Sequence, residues 1–302
     1  MIKRSQLAVA SNIYRQYSPQ YFIEAQKELG TETIELAAVP PHLIIDWEAP
    51  VDVSGLKKEL EDAGLKVAAV NADVSGYPYR MCTYNETLKN RTIAFYRHAI
   101  KAATDLGAEI VTVSCTGAHG DCIIEEEWAK IFEMMEVLKE AAAENNVKIA
   151  VETVTAADAP LMNCIADMKR LMETVDSEWI NVCLDICAMR CADETLDDWF
   201  KAFGDKIIYL HFTDGRPGGR LVWGEGLHPL GDYLETIAHY GYKGYYGLNI
   251  FTRGMWFEDQ YLDEEKGWIG TDHIRENYTF APKTADRKNL EAFRPYLEGG
   301  NQ

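Results

Sequence analysis

Four polar residues close four successive apolar segments in the second half of the chain. Glu152, Asp185 and His211 each follow an aliphatic residue, and Asn249 ends a fourth segment in the same way. An unpaired buried carboxylate is costly, so two of them beside an imidazole need a cation or strong hydrogen bonds. Carboxylate and imidazole ligands suit Mg²⁺, Mn²⁺ or Co²⁺. The residue types therefore indicate a site for one divalent metal, although each residue alone could equally be a hydrogen-bonded polar group of the core.

The elements that must position these residues are short β-branched runs alternating with longer segments of helical period. The runs lie at 6–10, 33–37, 66–71, 109–114, 148–152, 180–185, 207–211 and 245–250, and clear amphipathic segments lie at 86–106, 125–145 and 166–175. Eight strand–helix alternations in about 300 residues favour a single-domain (β/α)₈ barrel over 1–302. A doubly wound sheet is the alternative, but no glycine-rich phosphate fingerprint follows the first strand. In a barrel, residues at the strand carboxyl ends face the active site.

The sequence motifs around these strand ends resemble the xylose-isomerase-like superfamily of sugar isomerases and epimerases. The resemblance covers nearly the whole chain and is carried by Val151-Glu152, Leu184-Asp185, the HFTDG segment at 211–215, WGEG at 223–226 and GYKG at 241–244. It implies that Glu152, Asp185 and His211 bind one divalent metal, most simply Mn²⁺, with Mg²⁺ or Co²⁺ as alternatives. It also implies that the substrate is a keto sugar bound through its carbonyl and adjacent hydroxyl.

The same resemblance implies a set of substrate contacts. Asp158, six residues after Glu152, matches an acid that many epimerases place there to support substrate binding. Arg216 lies near the position of an arginine that contacts substrate hydroxyls, and Asp214 belongs to the same segment. We therefore assign Asp158, Asp214 and Arg216 to substrate binding.

Two departures from the family pattern bear on the mechanism. The fourth ligand position is Asn249 rather than glutamate; its amide oxygen can coordinate a metal, but an amide cannot take up a proton. Ala188 stands where many members carry a substrate-binding histidine. Glu152 is thus the expected base, and the second proton-transfer group must be sought elsewhere. The candidates are His119, which follows strand four, Glu225, and carboxylates of the loop after strand eight.

That loop, at 251–282, is rich in aromatic residues, Trp256 among them. Loops of this length are usually functional lids or disordered segments. The aromatic content favours an ordered lid over the barrel mouth or a surface that contacts a partner, with Trp256 stacking on substrate.

Composition limits the classes of partner. With 30 basic and 48 acidic residues the net charge is −18, which disfavours nucleic-acid binding. No segment is long and apolar enough to cross a membrane, and no signal peptide is evident. Seven cysteines without regular spacing indicate reduced thiols and a cytoplasmic protein, and we interpret Cys183, Cys187 and Cys191 as packing residues.

The sequence therefore predicts a metal-dependent sugar isomerase or epimerase that moves a proton next to a sugar carbonyl. A second hypothesis is a lyase-type step on an oxidised 3-keto C-glycoside, as in the catalytic subunit of a C-glycoside deglycosidase. A non-catalytic sugar-binding barrel and an abasic-site nuclease are further alternatives. We expect the chain to form a homo-oligomer or to pair with a small second subunit.

Overall fold

A computed structural model describes residues 1–72, 79–251, 262–263, 267–268 and 282–299 of the protein. Eight parallel strands form a closed barrel in chain order, in which β1 pairs with both β2 and β8. The strands are β1 Leu7–Ala10, β2 Thr33–Ala37, β3 Lys66–Asn71, β4 Ile110–Ser114, β5 Lys148–Glu152, β6 Ile180–Asp185, β7 Ile207–His211 and β8 Tyr245–Leu248. The predicted (β/α)₈ barrel is confirmed.

Helices follow the strands and cover the outside of the barrel. They are α1 Pro19–Leu29, α2 Ser54–Asp62, α3 Glu86–Leu106, α4 Ile124–Asn145, α5 Ile165–Val175, α6 Ile186–Cys191, α7 Leu196–Phe203, α8 Leu230–His239 and, near the end of the chain, α9 Pro282–Phe293. Several boundaries have local causes: the Ser18 hydroxyl caps α1, and Gly30 and Gly107 end α1 and α3 in the left-handed conformation. Among the described residues, no helix is long and apolar enough to cross a membrane.

The inner face of the barrel changes from small and apolar to polar along the strands. A buried cluster includes Ala150, Cys183 and Tyr209. Side chains two positions apart on a strand share a face. Glu152, Asp185 and His211 therefore point to the same side of the sheet as Ala150, Cys183 and Tyr209. The apolar layer thus forms the floor beneath a polar layer at the carboxyl ends of β5, β6 and β7.

The predicted loop at 251–282 lies almost entirely outside the described residues, and so does Trp256. Its described parts are Phe251, the first residue of α9, and two short antiparallel strands, β9 Leu262–Asp263 and β10 Gly267–Trp268. The role of this loop as a lid or partner surface stays a prediction.

Candidate metal centre

Three of the residues predicted as metal ligands converge at the carboxyl end of the barrel. Glu152 ends β5, Asp185 ends β6 and His211 ends β7, and all three are buried. One potential ligand atom from each lies within 4.8 Å of the other two. The convergence follows from the closed sheet, because neighbouring parallel strands bring their last residues to the same rim.

Glu152 is held by contacts to both of its carboxylate oxygens. Its Oε1 lies 2.5 Å from Nδ1 of His211 and accepts a hydrogen bond of 2.6 Å from Arg220 Nη2. Its Oε2 accepts a hydrogen bond of 2.8 Å from the hydroxyl of Ser114, the last residue of β4. Burial disfavours the carboxylate, but the charges of His211 and Arg220 outweigh it and hold the pKa of Glu152 well below its usual range. Glu152 is therefore ionised throughout the physiological range.

Asp185 has one oxygen committed to the fold and one directed at the site. Oδ1 caps α6 by accepting hydrogen bonds from the backbone N–H groups of Cys187 and Ala188, at 2.7 and 2.9 Å. Oδ2 lies 2.5 Å from Arg220 Nη2 as an ion pair, yet no donor is directed at it with hydrogen-bond geometry among the described residues. Burial raises the pKa of Asp185, partly offset by the Arg220 charge. Its Oδ2 is thus a buried acceptor with unused capacity.

His211 is supported from behind by Glu35, a buried carboxylate in the middle of β2. The Nε2 atom of His211 lies 3.2 Å from Glu35 Oε2, which also accepts a hydrogen bond of 2.6 Å from the Tyr209 hydroxyl. The other oxygen, Oε1, accepts from Asn71 and Asn249 at 3.1 and 3.2 Å. Burial opposes the ionised form of Glu35, but the charge of His211 lowers its pKa below the usual range. Sequence reasoning missed Glu35, whose signal was a charged residue inside the apolar run TIELA.

Asn249 lies beside this cluster with its amide oxygen turned away from it. The amide nitrogen faces Glu35 and lies 3.4 Å from His211 Nε2, whereas Oδ1 accepts a hydrogen bond of 2.6 Å from Asn12. An amide coordinates metals through oxygen. In this arrangement Asn249 connects Asn12 to Glu35, and its predicted role as a fourth ligand stays a prediction.

The loop after β7 places a different arginine in the site from the one predicted. Arg216 is exposed and donates to the backbone oxygen of Glu225, whereas the Arg220 guanidinium reaches Glu152 and Asp185. Arg220 has a φ of +41°, a left-handed conformation that costs energy for a residue with a side chain. Its carbon Cζ lies 5.1 Å from the centre of the Phe251 ring. Sequence spacing pointed to Arg216 because it did not reveal how the loop folds back.

That fold-back is organised by Asp214, which was predicted to bind substrate. Asp214 is buried and pairs with Leu221 in an isolated antiparallel bridge. Its two carboxylate oxygens accept hydrogen bonds of 2.7–2.9 Å from the backbone N–H groups of Gly215, Gly224, Gly226 and His228. The structure thus commits this carboxylate to the loop backbone.

The other predicted residues lie at the rim. Asp158 is exposed and accepts two hydrogen bonds from Thr155, one from its backbone N–H and one from its hydroxyl. His119 is exposed in the loop after β4, where it groups with Cys122 and Glu127 rather than with Glu152. Glu225 pairs with Lys288 at 3.4 Å.

The buried donors fit a divalent cation. Glu152 and Oδ2 of Asp185, which accepts no hydrogen bond of good geometry among the described residues, would supply oxygen ligands, and His211 would supply nitrogen. A metal-bound histidine usually donates its other N–H to a carboxylate, which is the place that Glu35 takes at Nε2. The charges would also balance once His211 releases a proton on binding: three carboxylates, one guanidinium, a neutral imidazole and a divalent ion sum to zero.

Known proteins of similar sequence or structure include several sugar epimerases. The family described as xylose isomerase-like TIM barrel matches residues 23–272. The chain is 24% identical over 232 residues to the fructoselysine 3-epimerase of Shigella flexneri, an alignment that covers 76% of this chain and 83% of that protein. The solved structure of a 3-keto-D-glucoside 4-epimerase from E. coli superimposes with a TM-score of 0.74 at 15% identity, covering 96% of this chain and 99% of that one. A D-psicose 3-epimerase structure, obtained in the presence of D-fructose, gives a TM-score of 0.75 at 15% identity, covering 97% and 99%. At these identities the structural likeness establishes the fold.

Proposed function

Since the chain belongs to the xylose isomerase-like TIM barrel family, we propose that it is a metal-dependent sugar epimerase or isomerase. The reaction is proton transfer at the carbon next to the carbonyl of a keto sugar. The observation that carries the proposal is the buried cluster of Glu152, Asp185 and His211 at the catalytic end of the barrel, whose ligand atoms lie within 4.8 Å of one another. The sugar epimerases among its relatives support the same reaction class.

Glu152, Asp185 and His211 would hold the metal, which we propose to be Mn²⁺ because two carboxylates and an imidazole suit that ion. When bound, a divalent cation polarises a carbonyl and acidifies the neighbouring C–H bond. Asp185 is held in position because its Oδ1 caps α6, which leaves Oδ2 directed at the site. Glu35 fixes the imidazole ring of His211 from the opposite side.

Glu152 is the base in this proposal, and Arg220 is the group that contacts substrate oxygen. Glu152 is ionised, buried and restrained by Ser114, so it can accept a proton from a carbon held above the cluster. Arg220 bridges the two carboxylates and carries N–H donors that can bind the oxygen on which negative charge develops. The lowered pKa of Glu152 keeps the base deprotonated at neutral pH.

Asn249 makes the site asymmetric, because it cannot move a proton on the opposite face of the substrate. An epimerase would then need another proton donor. Of the predicted candidates, His119 groups with Cys122 and Glu127 instead, which leaves Glu225 and the carboxylates of the loop after β8. The same asymmetry favours a second candidate function, the lyase-type cleavage of a 3-keto C-glycoside, because an elimination can proceed with one carboxylate base. A test of the reaction must therefore offer both keto sugars and 3-keto C-glycosides.

The test is proton exchange in D₂O. The full chain, loaded with Mn²⁺, is incubated with a panel of keto sugars and 3-keto C-glycosides, and deuterium incorporation and product are followed by NMR. We expect solvent deuterium at the carbon next to the carbonyl. Glu152→Gln should slow the exchange by roughly 10²–10⁴-fold, since that is the usual contribution of a positioned base.

Glu109→Gln is the matched control, because Glu109 is an exposed carboxylate at the start of β4 that pairs with Lys66. It should leave the exchange rate unchanged. Equal exchange by wild type and Glu152→Gln would contradict the role of Glu152. Aglycone release from a 3-keto C-glycoside without epimerised sugar would replace the epimerase proposal by the lyase.

A further inference from the structure

A second group of potential ligands lies outside the proposed sugar site, in the connection between β4 and α4. His119 and Cys122 belong to the loop, and Glu127 lies in the first turn of α4. One potential ligand atom from each of the three lies within 4.8 Å of the other two. None of them contributes to the cluster around Glu152.

Glu127 is the buried member of this group, and its two carboxylate oxygens differ in their hydrogen bonds. The side chain is fully buried. Oε1 accepts hydrogen bonds from the Tyr84 hydroxyl at 2.7 Å and from Lys130 Nζ at 2.6 Å. Oε2 is also buried and accepts no hydrogen bond of good geometry among the described residues, although the backbone N–H of His119 faces this carboxylate. A buried acceptor without a partner costs about 1–3 kcal/mol, so its presence calls for a ligand.

The loop turns so that His119 and Cys122 lie close together above this carboxylate. The backbone N–H of Cys122 donates to the carbonyl of His119 at 3.2 Å, which closes a four-residue turn. His119 is exposed and Cys122 half-buried. The group therefore has a buried end at Glu127 and an end open to solvent, through which an ion can enter.

We propose that His119, Cys122 and Glu127 form a zinc site with three protein ligands and one open position. Thiolate and imidazole ligands bind Zn²⁺ in preference to Mg²⁺ or Mn²⁺. Three protein ligands plus one exchangeable ligand are typical of zinc sites that are not purely structural. This separates the site from the carboxylate-rich cluster in the barrel. The proposal does not depend on the proposed sugar chemistry.

Binding requires a defined proton balance. The Cys122 thiol loses its proton to solvent, and the thiolate sulfur donates its electron pair to the metal without any change in oxidation state. The thiolate and the Glu127 carboxylate offset the two charges of the divalent ion, and Lys130 leaves the group with one net positive charge. Lys130 and Tyr84 remain hydrogen-bonded to the carboxylate as supporting groups, which is the usual arrangement around a coordinated carboxylate.

The test uses Co²⁺ as a spectroscopic substitute for Zn²⁺. The full chain, freed of metal by chelation, is titrated with Co²⁺, and the thiolate-to-cobalt charge-transfer absorption in the near ultraviolet is recorded. We expect a band that saturates by two equivalents, since Co²⁺ also suits the cluster around Glu152, and that disappears when Zn²⁺ is added. Cys122→Ser should lose the band, whereas Cys164→Ser, which removes another half-buried thiol, should keep it.

Two further variants keep the test decisive. His119→Ala changes an exposed side chain, so it should fold normally and bind Co²⁺ more weakly or with a shifted band. Glu152→Gln should keep the band, since its cluster is separate. No band in the wild type, or an undiminished band in Cys122→Ser, would overturn the zinc site. Either result would leave the sugar reaction at Glu152 unaffected, so the two proposals fail independently.

Discussion

Arg220 contacts the same two carboxylates that are proposed to hold a divalent cation. The guanidinium lies 2.6 Å from Glu152 and 2.5 Å from Asp185, so it compensates part of their charge when no metal is bound. A cation that enters the cluster must share these oxygens with Arg220 or displace it. We therefore expect the arginine to lower the net affinity for metal while it stabilises the metal-free fold.

Arg220→Ala should separate these two effects. Among the described residues it leaves His211 as the one cation near the two buried carboxylates, so the free energy of unfolding without metal should fall by roughly 3–5 kcal/mol, the usual cost of removing one member of a buried ion pair. Mn²⁺ should bind more tightly than to wild type, because no guanidinium competes for the oxygens. Urea unfolding with and without Mn²⁺ measures both quantities.

Arg216→Ala is the control, since Arg216 is exposed and contacts a backbone oxygen of the same loop. It should change neither quantity. If Arg220→Ala weakens Mn²⁺ binding, the arginine supports the metal site rather than competing with it.

The site residues that could be predicted are those whose position follows from the strand alone. Glu152, Asp185 and His211 end strands with clear apolar runs, so closure of the barrel is enough to bring them together. Glu35 could not be found in this way because it lies in the middle of a strand, where the usual expectation is an apolar side chain. Arg220 was missed because its direction depends on the bridge between Asp214 and Leu221, a tertiary feature of the loop.

Strand β8 contributes to the site through a glycine, Gly247, which has no side chain. A Cβ atom added at Gly247 would lie 2.7 Å from Tyr209 Cε1 and 2.8 Å from Glu35 Oε2. Tyr209 and Glu35 are hydrogen-bonded to each other and support His211. The glycine is thus required by close packing against the group that orients the imidazole.

Gly247→Ala should disturb this support. We expect a loss of roughly 1–3 kcal/mol in the free energy of unfolding, typical of overpacking a full core, and weaker Mn²⁺ binding because Glu35 must move from His211. Calorimetric titration with Mn²⁺ and urea unfolding provide the measurements. Gly55→Ala is the matched control, because a Cβ atom there meets nothing within 4 Å. An effect of Gly247→Ala no larger than that of Gly55→Ala would show that β8 tolerates the added methyl group.

The eight strands, and the three helices whose bounds were predicted, agree with the structure almost to the residue. Five predicted strands, 33–37, 66–71, 148–152, 180–185 and 207–211, agree with the structure, as does the helix at 86–106. The differences occur at ends: β1 begins at Leu7 because a short 3₁₀ turn at Arg4–Gln6 precedes it, and β8 stops at Leu248. Periodicity locates the interior of an element, whereas its ends depend on individual hydrogen bonds.

Helix α9 attaches to the start of the barrel through a buried acid. Asp286 Oδ2 accepts hydrogen bonds from the Tyr14 hydroxyl at 2.5 Å and from Gln26 Nε2 at 2.8 Å. Its Oδ1 has no hydrogen-bond partner among the described residues. Burial raises the pKa of Asp286 to about 7, because the hydrogen bonds from Tyr14 and Gln26 offset the burial only in part.

This contact should make stability depend on pH. The pKa of Asp286 in the folded chain is above its ordinary value of 3.8. The protonated acid therefore favours folding, and this contribution is lost as the pH rises from about 4 to about 7, by roughly 4 kcal/mol in total. Asp286→Asn removes the titration, so the variant should become more stable relative to wild type over this range and the difference should level off above it. Urea unfolding at half-unit intervals tests this, and parallel pH profiles for the two proteins would contradict it.

For the whole molecule, metal binding should be coupled to folding. The three proposed ligands come from β5, β6 and β7 and are brought together only in the closed barrel, so Mn²⁺ should bind the folded chain far better than the unfolded one. At a free Mn²⁺ concentration of about 100 times the Kd, the free energy of unfolding should rise by about 2.7 kcal/mol and the Tm by several degrees. Asp185→Asn should abolish the Mn²⁺-dependent rise measured by calorimetry. An equal rise in the variant would show that the stabilising ion binds elsewhere.

The net charge of −18 is a property of the whole molecule that bears on its partners. All seven cysteines are free thiols in the structure, in keeping with the reduced state predicted from their spacing. A cytoplasmic location, and a homo-oligomer or a complex with a small second subunit, stay predictions, as does the absence of nucleic-acid binding.

The loop closed by Asp214 affects how a ligand can be recognised. Four backbone N–H groups converge on this one carboxylate, and the same loop carries Arg220 into the site. The conformational entropy of this loop is therefore lost when the chain folds and not when a ligand binds. The shape and charge that this loop presents to a ligand are therefore already formed before the ligand binds. Discrimination between closely related sugars can thus arise here from the misfit of a single hydroxyl against a surface that does not adapt.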